Sequence, residues 1–456
     1  MLNQVQHDSR FKMLGKDKLK QISDKVLAYS KADQTEVLLF VTANALTRFA
    51  CNQIHQNMAW KDLGISVRVI KDKKIGVSST NDLVDHALYD VVDKALKLSE
   101  LQEADEQFIS LPGPSKVPEV ENNIYYASEQ EMAEGANTVI QLAMKNSLIA
   151  SGAYSNDTTE MAVANSLGVW AYHAGSSCNL STIVLGENSS GFAADVARTT
   201  ADVDALQVAK TAVQKTLESK DPQDIEPGEY EVILEPQAVS EMLAFFQWYG
   251  PNARIYHEQA SPLSGQMGKQ VFGKNITLID DPFHPEVFPM PFDYEGQPKK
   301  TLTIVENGIL KNIAYDSYNA SKYKAENTGH ALPAPNTMGP IPLHLYIKPG
   351  DKTREEMINK VKKGLLVTRL WYVRVLNPKT LNVTGMTRDG TFLIENGKIV
   401  KPVKNLRFNQ SIPEALNNVV AIENKLTPLA SFEGDMIGLM PTLHIGKWHF
   451  TSGTLF

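Results

Sequence analysis

Apolar residues recur at helical spacing in the first half of the chain. Leu19, Ile22 and Val26, for example, fall on one face of a helix. Such spacing predicts helices over 15–32, 81–99, 129–144 and 205–219. Segments dense in β-branched and apolar residues lie between them and predict strands over 35–42, 149–155, 160–169 and 180–185. Residues 64–70 alternate at period two before the charged turn 71–76, which predicts a hairpin.

The pattern changes after residue 221. Residues 221–228 contain two prolines and a glycine and are typical of a linker. Short strand-like runs follow at 230–234, 300–305, 343–347, 365–375 and 391–394, with one predicted helix at 238–248. Helices in the first half and strands in the second predict an α+β fold, with an N-terminal mixed α/β half and a β-rich C-terminal half. We expect three domains, at residues 1–110, 111–222 and 223–456.

Charge and composition argue against two classes of partner. Lys and Arg total 45 against 52 Asp and Glu, a net charge of -7, and no basic cluster is present, so no nucleic-acid partner is expected. The apolar stretches, such as 37–41, are far shorter than the ~20 residues of a membrane-spanning helix. Two cysteines are too few for a disulfide framework, and residues 1–10 lack an apolar secretion signal. A cytoplasmic protein without a membrane partner is therefore expected.

Five segments resemble signatures of the TldD/PmbA family (the modulator of DNA gyrase proteins), in the same order along the chain. They are Asp62-Leu-Gly-Ile-Ser-Val-Arg-Val-Ile70 with Lys74-Ile-Gly76, Glu226-Pro-Gly-Glu-Tyr-Glu-Val-Ile-Leu-Glu-Pro236, Leu278-Ile-Asp-Asp-Pro282, Gly364-Leu-Leu-Val-Thr-Arg-Leu370, and Asp389-Gly-Thr-Phe-Leu-Ile-Glu-Asn-Gly-Lys-Ile-Val-Lys-Pro-Val403. The resemblance extends from about residue 62 to residue 403.

In the zinc-bearing type of this family, a helix carries the motif His-Glu-x-x-x-His, in which the histidines hold zinc and the glutamate acts on the attacking water. A cysteine near the C-terminus completes that site. The spacing of five residues would suit a π-type turn. In this chain the motif positions are Ala244, Phe245 and Tyr249, and residues 428–434 contain no cysteine. The chain therefore resembles the partner type, called TldE or PmbA, and we expect no catalytic residue, no metal ligand and no cofactor.

Four other residues are candidates for contact with a peptide. Thr328 and His330 belong to a loop that resembles the family's Thr-Gly-Asn-Ala turn, and they either contact a peptide or only form the turn. Arg68 and Arg369 lie on predicted strands and hold either a salt bridge or a peptide carboxylate. The pair Asp280-Asp281 precedes a proline, which favours turn capping over metal binding.

Histidines and cysteines provide weaker candidates. A non-standard metal site would need His330, His444 and His449 to meet Glu433 or Asp435, although strand alternation places residues five apart on opposite faces. His257-Glu258 lacks a second histidine and is interpreted as part of a loop. We expect Cys51 and Cys178 to be small buried residues and not catalytic thiols. The aromatic residues Phe245, Phe246, Trp248 and Tyr249 suit a core or a subunit interface at least as well as a ligand platform.

The resemblance implies a function in peptide degradation. In the family, a zinc-bearing chain and a TldE-type chain enclose a cavity in which unfolded peptides are cleaved. The expected role is a non-catalytic subunit that pairs with a zinc-bearing TldD-type paralogue, with itself, or with both, and helps to enclose a peptide substrate. Two alternatives remain: a non-enzymatic homodimer that modulates another enzyme such as DNA gyrase, and a hydrolase with a non-standard metal site.

Overall fold

An antiparallel sheet of six strands organises the first half of the protein. The computed structural model describes residues 13–121, 123–430 and 437–454. The strands are β1 (Gln34–Ala50), β2 (Gln53–Lys71), β3 (Lys74–Thr80), β4 (Ile149–Asn165), β5 (Trp170–Leu185) and β6 (Ser190–Ala197). Their order across the sheet is β3-β2-β1-β4-β5-β6, so strands from both of the first two expected domains form one continuous sheet.

Four helices pack against this sheet, and all four were predicted from the apolar spacing. They are α1 (Lys16–Tyr29), α2 (Asp85–Glu100), α3 (Glu129–Lys145) and α4 (Ala205–Glu218). Leu19 and Val91 pack with β-strand residues in one core, and Val139 and Val208 pack with others in a second core. The side chain of Ser128 caps α3 in a capping box with Glu131, which explains why that helix begins where it does.

The polar centre of β4 was not predicted to be a strand. Sequence analysis placed two separate strands at 149–155 and 160–169, whereas β4 continues through residues 156–159. Asn156 and Thr158 are buried there, and both have partners: Asn156 accepts the N–H of Ala127 at 2.7 Å, and Thr158 donates to the carbonyl of Tyr125 at 2.9 Å. Because these polar side chains are satisfied by a neighbouring loop, they do not interrupt the strand.

The second half is rich in short strands, which confirms the predicted α+β fold. In chain order its elements are β7 (Gly228–Leu234), α5 (Pro236–Tyr249), α6 (Ala253–His257), β8 (Leu278–Asp280), β9 (Leu302–Glu306), β10 (Ile309–Leu310), α7 (Ser317–Tyr323), β11 (Leu345–Ile347), α8 (Arg354–Lys360), β12 (Lys363–Asn377), β13 (Asn382–Glu395), β14 (Lys398–Pro402), β15 (Leu406–Ser411), α9 (Ile412–Asn417), β16 (Val419–Ile422), β17 (Thr427–Ala430), β18 (Ile437–Met440) and β19 (Leu443–Gly453).

The main sheet of this half closes into a ring. β12 pairs with both β7 and β13, β13 pairs with β15, and β19 lies between β15 and β7. Trp448 and Phe408, whose ring centroids are 5.1 Å apart, are fully buried in its core. β8 to β11 form a separate sheet in the order β10-β9-β8-β11. The last strand in chain order, β19, therefore has a partner on each side.

Residues 290–299, which we call the docking segment, join the two halves. Phe292 is completely buried against Leu38 and Met161 of the N-terminal sheet. The ring of Tyr294 lies 5.7 Å from that of Phe40. Gly296 has a φ of +75°, and a Cβ there would lie 2.6 Å from Val169 Cγ1. The segment therefore packs so closely on the sheet that only glycine fits at this position.

Two other contacts hold the halves together. Arg198 donates through Nη2 to the carbonyl groups of Pro285 and Val287, both at 3.2 Å. The carboxylate of Glu235, directly before α5, accepts hydrogen bonds from Lys215 of α4 at 2.5 Å and from Arg354 of α8 at 2.8 Å. The N-terminal sheet and the C-terminal ring are thus joined by apolar packing and by charged side chains.

No helix in the described part of the chain is both long enough and apolar enough to cross a membrane.

Gly296→Ala tests the close approach of the docking segment. Gly268 is a matched control because it has nearly the same φ, +76°, and a methyl group added there would have no atom within 4 Å. Gly268→Ala should cost about 1 kcal/mol from backbone strain alone. Gly296→Ala should cost about 1–3 kcal/mol more, because the methyl group also overlaps Val169. Urea unfolding of both variants measures the difference, and equal losses would contradict the tight packing described here.

Candidate functional site

Helix α5 carries the positions at which the resemblance places the zinc motif. It begins with Pro236 in its first turn and ends where the N–H of Gly250 bonds to the carbonyl of Phe246. Its hydrogen bonding is α-helical from 236 to 249, without a π-type turn. At 3.6 residues per turn, side chains five residues apart point roughly 140° apart around the axis. Positions 244 and 249 therefore do not converge on a common point.

The side chains at these positions do not suit a metal ion. Ala244, Phe245 and Tyr249 offer a methyl group, a phenyl ring and a phenol, whereas zinc sites use imidazole, thiolate and carboxylate. Phe245 and Tyr249 are partly buried and pack against the main core of the C-terminal half. Throughout the described ranges, no three His, Cys, Asp or Glu residues are grouped to hold a metal ion. Residues 431–434, near the family's cysteine position, lie outside those ranges.

Thr328 and His330 belong to a buried polar cluster around Asp280. The Thr328 hydroxyl lies 2.8 Å from His330 Nδ1, and His330 Nε2 lies 3.1 Å from an Asp280 carboxylate oxygen. The other oxygen of Asp280 accepts the backbone N–H of His344 at 2.7 Å. Gly329, which lies between Thr328 and His330 in the chain, has a φ of +73°, and a Cβ there would lie 2.6 Å from the carbonyl oxygen of Pro298. The turn is thus pressed against the docking segment.

Lys299 sets the electrostatics of this cluster. Burial alone would raise the pKa of Asp280, but Lys299 and the hydrogen bond from His330 outweigh it and hold that pKa below its ordinary range. Burial and the charge of Lys299 lower the pKa of His330, and they lower that of His344 to about 4, so both rings are neutral at pH 7. Lys299 Nζ and His344 Nδ1 are buried and have no hydrogen-bond partner among the described residues.

Arg68 forms a buried ion cluster between the two halves. Its Nη2 lies 2.7 Å from a carboxylate oxygen of Glu36 on β1 and 2.9 Å from one of Glu295 in the docking segment. The side chains of Arg68, Glu36 and Glu295 are only 13%, 4% and 6% exposed. Arg68 was expected to hold either a salt bridge or a peptide carboxylate, and the structure shows a salt bridge.

Arg369 is likewise engaged inside the protein. It donates through Nε to a carboxylate oxygen of Asp389 at 2.7 Å. Its guanidinium group lies 4.5 Å from the ring centroid of Phe192 on β6 and 5.1 Å from that of Trp371. Since Phe192 belongs to the N-terminal sheet, this stacking is another contact between the halves. Arg68, Thr328, His330 and Arg369 therefore do not line one open cleft.

The other histidines lie apart from His330. His444 Nε2 bonds to a carboxylate oxygen of Glu231 at 2.9 Å and is buried. His449 is exposed and lines a polar surface cavity of about 340 Å³ with Gln410. The expected alternation was wrong: a bulge in β19 between Ile445 and Trp448 places both histidines on one face, opposite Ile233 and Glu229 of β7. Four residue positions along β7 keep the two side chains about 13 Å apart. Glu433 and Asp435, the proposed acidic partners, lie outside the described residues.

Four minor candidates also have defined surroundings. His257 bonds to the hydroxyl of Tyr315 at 2.9 Å and stacks on Tyr323, as expected of a structural histidine. Asp281 accepts the N–H of Phe283 and the hydroxyl of Thr301, the predicted capping role. Cys178 is buried as expected. The expectation for Cys51 was wrong: it is exposed, because it occupies the β1–β2 turn with a φ of +49°.

Sequence reasoning missed the charged residues of the docking segment. Asp293, Glu295 and Lys299 belong to no recognised motif and lie among prolines and glycine, where a solvent-exposed loop is the ordinary interpretation. The phenylalanine and tyrosine that alternate with them, Phe292 and Tyr294, are the one local sign that the segment packs against another surface.

All three parts of the chain are similar to one class of protein, the metallopeptidases of a single family. Family models described as PmbA/TldA metallopeptidase domain 1, central domain and C-terminal domain match residues 36–99, 114–220 and 227–452. The chain belongs to the PmbA/TldD metallopeptidase family.

Individual relatives are similar over most of their length. The chain is 25% identical over 392 residues to the metalloprotease PmbA homologue of Haemophilus influenzae, covering 80% of this chain and 81% of that one. It is 21% identical over 445 residues to the metalloprotease PmbA of Escherichia coli O157:H7, covering 92% and 93%. The crystal structure of TldE from Thermococcus kodakarensis superposes with a TM-score of 0.85 at 23% identity, covering 95% and 99%.

Substitution of Asp280 should reveal how strongly the buried cluster depends on its carboxylate. Asp280→Ala removes the carboxylate that most strongly favours the charged form of the buried Lys299 and should lower the free energy of unfolding by about 3–5 kcal/mol. The neighbouring Asp281→Ala, which removes only turn hydrogen bonds, should cost about 1 kcal/mol. Urea unfolding at pH 7 compares the two variants. A loss at Asp280 no larger than that at Asp281 would contradict the role assigned to the cluster.

Proposed function

We propose that this chain is a non-catalytic, TldE-type subunit of a peptide-degrading metalloprotease assembly. One observation carries the proposal: α5 presents Ala244, Phe245 and Tyr249 where a zinc-bearing member of the family would present two zinc ligands and a general base. Hydrolysis by zinc requires ligands that leave one coordination position open and a carboxylate that takes a proton from the bound water. These three side chains supply none of those functions.

The surroundings of α5 support a structural use of the helix. Phe245 and Tyr249 pack against the hydrophobic core. They therefore stabilise the fold at positions where the zinc-bearing members would carry polar side chains. Directly before the helix, Glu235 is fixed by Lys215 and Arg354. The start of α5 is therefore fixed to both α4 of the N-terminal half and α8. Such a fixed helix is suited to form part of the wall of a peptide-binding cavity.

The proposed partner is a TldD-type zinc-bearing paralogue. Paralogous subunits commonly reuse one self-complementary surface, so pairing with a second copy of this chain is compatible with pairing with the paralogue. The similarity to TldE over nearly the whole length of both chains supports the choice of this type of subunit. In the assembly, the paralogue would supply the metal, and this chain would help to enclose an unfolded peptide substrate.

Metal analysis of the separate and the combined chains tests this proposal. Purified alone without a metal-binding tag, this chain should contain less than ~0.1 zinc, iron or manganese per molecule and should not cleave an unstructured peptide. Co-expressed with the zinc-bearing paralogue, it should co-purify with about one zinc per pair and with peptidase activity. Elemental mass spectrometry and mass spectrometry of peptide products provide the two measurements.

A chelator supplies the control. Treatment with 1,10-phenanthroline should abolish the activity of the pair and leave the thermal unfolding midpoint of this chain alone unchanged within about 1 °C, because it holds no structural metal. Near one metal ion per isolated chain, together with cleavage, would overturn the proposal in favour of a hydrolase with its own site. A stable homodimer that does not bind the paralogue would favour the alternative function, that of a non-enzymatic modulator.

A further inference from the structure

The docking segment brings an excess of negative charge into the junction between the halves. Arg68 and Lys299 are the two cations enclosed there, and the carboxylates of Asp280 and Asp293 oppose the lowering of the pKa of Lys299 by burial. Five buried carboxyl groups face them: Glu36 on β1, Asp280 on β8, Asp293 and Glu295 in the segment, and Asp316 at the start of α7. The carboxyl groups thus exceed the cations by three.

The histidines that face the segment do not supply the missing positive charge. Burial lowers the pKa of His173 on β5, whose ring bonds to the carbonyl of Pro289, to about 4. His330 and His344 are also kept neutral by burial and by Lys299. Arg198 contacts only carbonyl groups at 285 and 287, on the exposed side of the junction. A balanced junction therefore requires that protons occupy some of the carboxyl groups.

We propose that the junction is a proton-controlled latch, in which the docking segment is held against the N-terminal sheet while the surplus carboxyl groups are protonated and is loosened when they ionise. The inference does not depend on whether the chain has a zinc-bearing partner, because every group involved belongs to this chain.

The contacts of Arg68 show why the latch is sensitive to charge. Both Glu36 and Glu295 bond to the same atom, Nη2, while the buried Nε of Arg68 has no hydrogen-bond partner among the described residues. One guanidinium therefore serves two carboxylates without using its bidentate geometry. When Glu36 and Glu295 are both ionised, the single charge of Arg68 only partly offsets the repulsion between them.

Three carboxyl groups, the same number as the surplus, have pKa values raised toward neutral pH. Burial, opposed by Arg68 and assisted by Glu295, raises the pKa of Glu36 to about 7. Burial and the charge of Glu295 raise the pKa of Asp293 to about 7 and that of Asp316 to about 6. A raised folded-state pKa means that the stabilisation is complete below the ordinary value of ~4 and is lost as the pH rises through 6 to 7.

The docking segment can separate from the N-terminal sheet while that sheet stays folded. Its backbone forms one isolated bridge, between Phe292 and Pro298, and takes no part in a strand. The carboxylate of Asp293 instead organises it, accepting the N–H groups of Glu295 at 3.0 Å, Gln297 at 2.9 Å and Ala331 at 2.9 Å. Local opening therefore breaks side-chain contacts and spares every strand pairing of the two main sheets.

A second ion cluster at the same junction provides an internal comparison. Glu235 faces two cations, Lys215 and Arg354, so its charge is fully compensated. Burial would raise the pKa of Glu235, but the two cations outweigh it and lower that pKa. This cluster holds no proton to lose between pH 6 and pH 8, and it should not respond over that range.

Hydrogen–deuterium exchange of the full chain tests the latch. Protection factors of peptides covering 290–299, corrected for the intrinsic pH dependence of exchange, should fall between pH 6 and pH 8. The expected fall is roughly tenfold for each carboxyl whose pKa drops from about 7 to ~4 on opening. Peptides from β13 should retain their protection at both pH values. Protection over 290–299 that is equal within twofold at pH 6 and pH 8 would overturn the proposal.

Two variants assign the effect to the junction. Glu36→Gln removes one titrating group while keeping its shape, so it should reduce the pH dependence about tenfold and increase protection at pH 8. Asp316→Asn should act in the same direction, since asparagine still caps α7. Glu235→Gln is the matched control and should preserve the full pH dependence. An unchanged dependence in both Glu36→Gln and Asp316→Asn, or its loss in Glu235→Gln, would overturn the assignment.

Discussion

The burial of Arg68 between two carboxylates is the interaction on which the arrangement of the two halves depends. Arg68 and Glu36 come from neighbouring strands, β2 and β1, whereas Glu295 lies 227 positions further along the chain from Arg68. Glu36 alone balances the charge of Arg68, and Glu295 joins them only when the docking segment is in place, so docking brings a second carboxyl group to the same guanidinium. The apolar contacts of Phe292 provide the driving force for docking, and the ion cluster restricts it to one register.

Apolar packing also fixes helix α5, largely through residues other than the three positions to which the resemblance assigns the zinc motif. The helix occupies the interior of the C-terminal half because Val239, Met242 and Phe246 face the core. These residues are separate from Ala244, Phe245 and Tyr249, so the helix does not require polar side chains at those three positions. Here they hold residues that pack, as expected when a fold persists and its function resides in a separable set of side chains.

Sequence periodicity was sufficient for the helices and for the class of fold. Each predicted helix in the first half was found, because the apolar spacing of residues such as Leu19 and Val26 directly reflects the face that is buried. The polar centre of β4 was missed because its side chains bond to a loop that is adjacent in space but about 30 residues earlier in the chain. The junction could not be predicted for the same reason: the partners of Arg68 and Asp280 are brought together by tertiary structure alone. Helix α5, by contrast, was predicted at 238–248, and its aromatic residues were expected in a core or an interface; Phe245 and Tyr249 do pack against the core.

The position of β19 within the closed ring determines when this protein can finish folding during its synthesis. The six strands of the N-terminal sheet are complete once residue 197 has been made, so that sheet can form while the ribosome is still translating the rest. The ring cannot close until Leu443–Gly453 has emerged and entered between β7 and β15. Until then β7 has no strand partner on one side, and a nascent chain stalled before residue 443 would expose much of its larger core to chaperones.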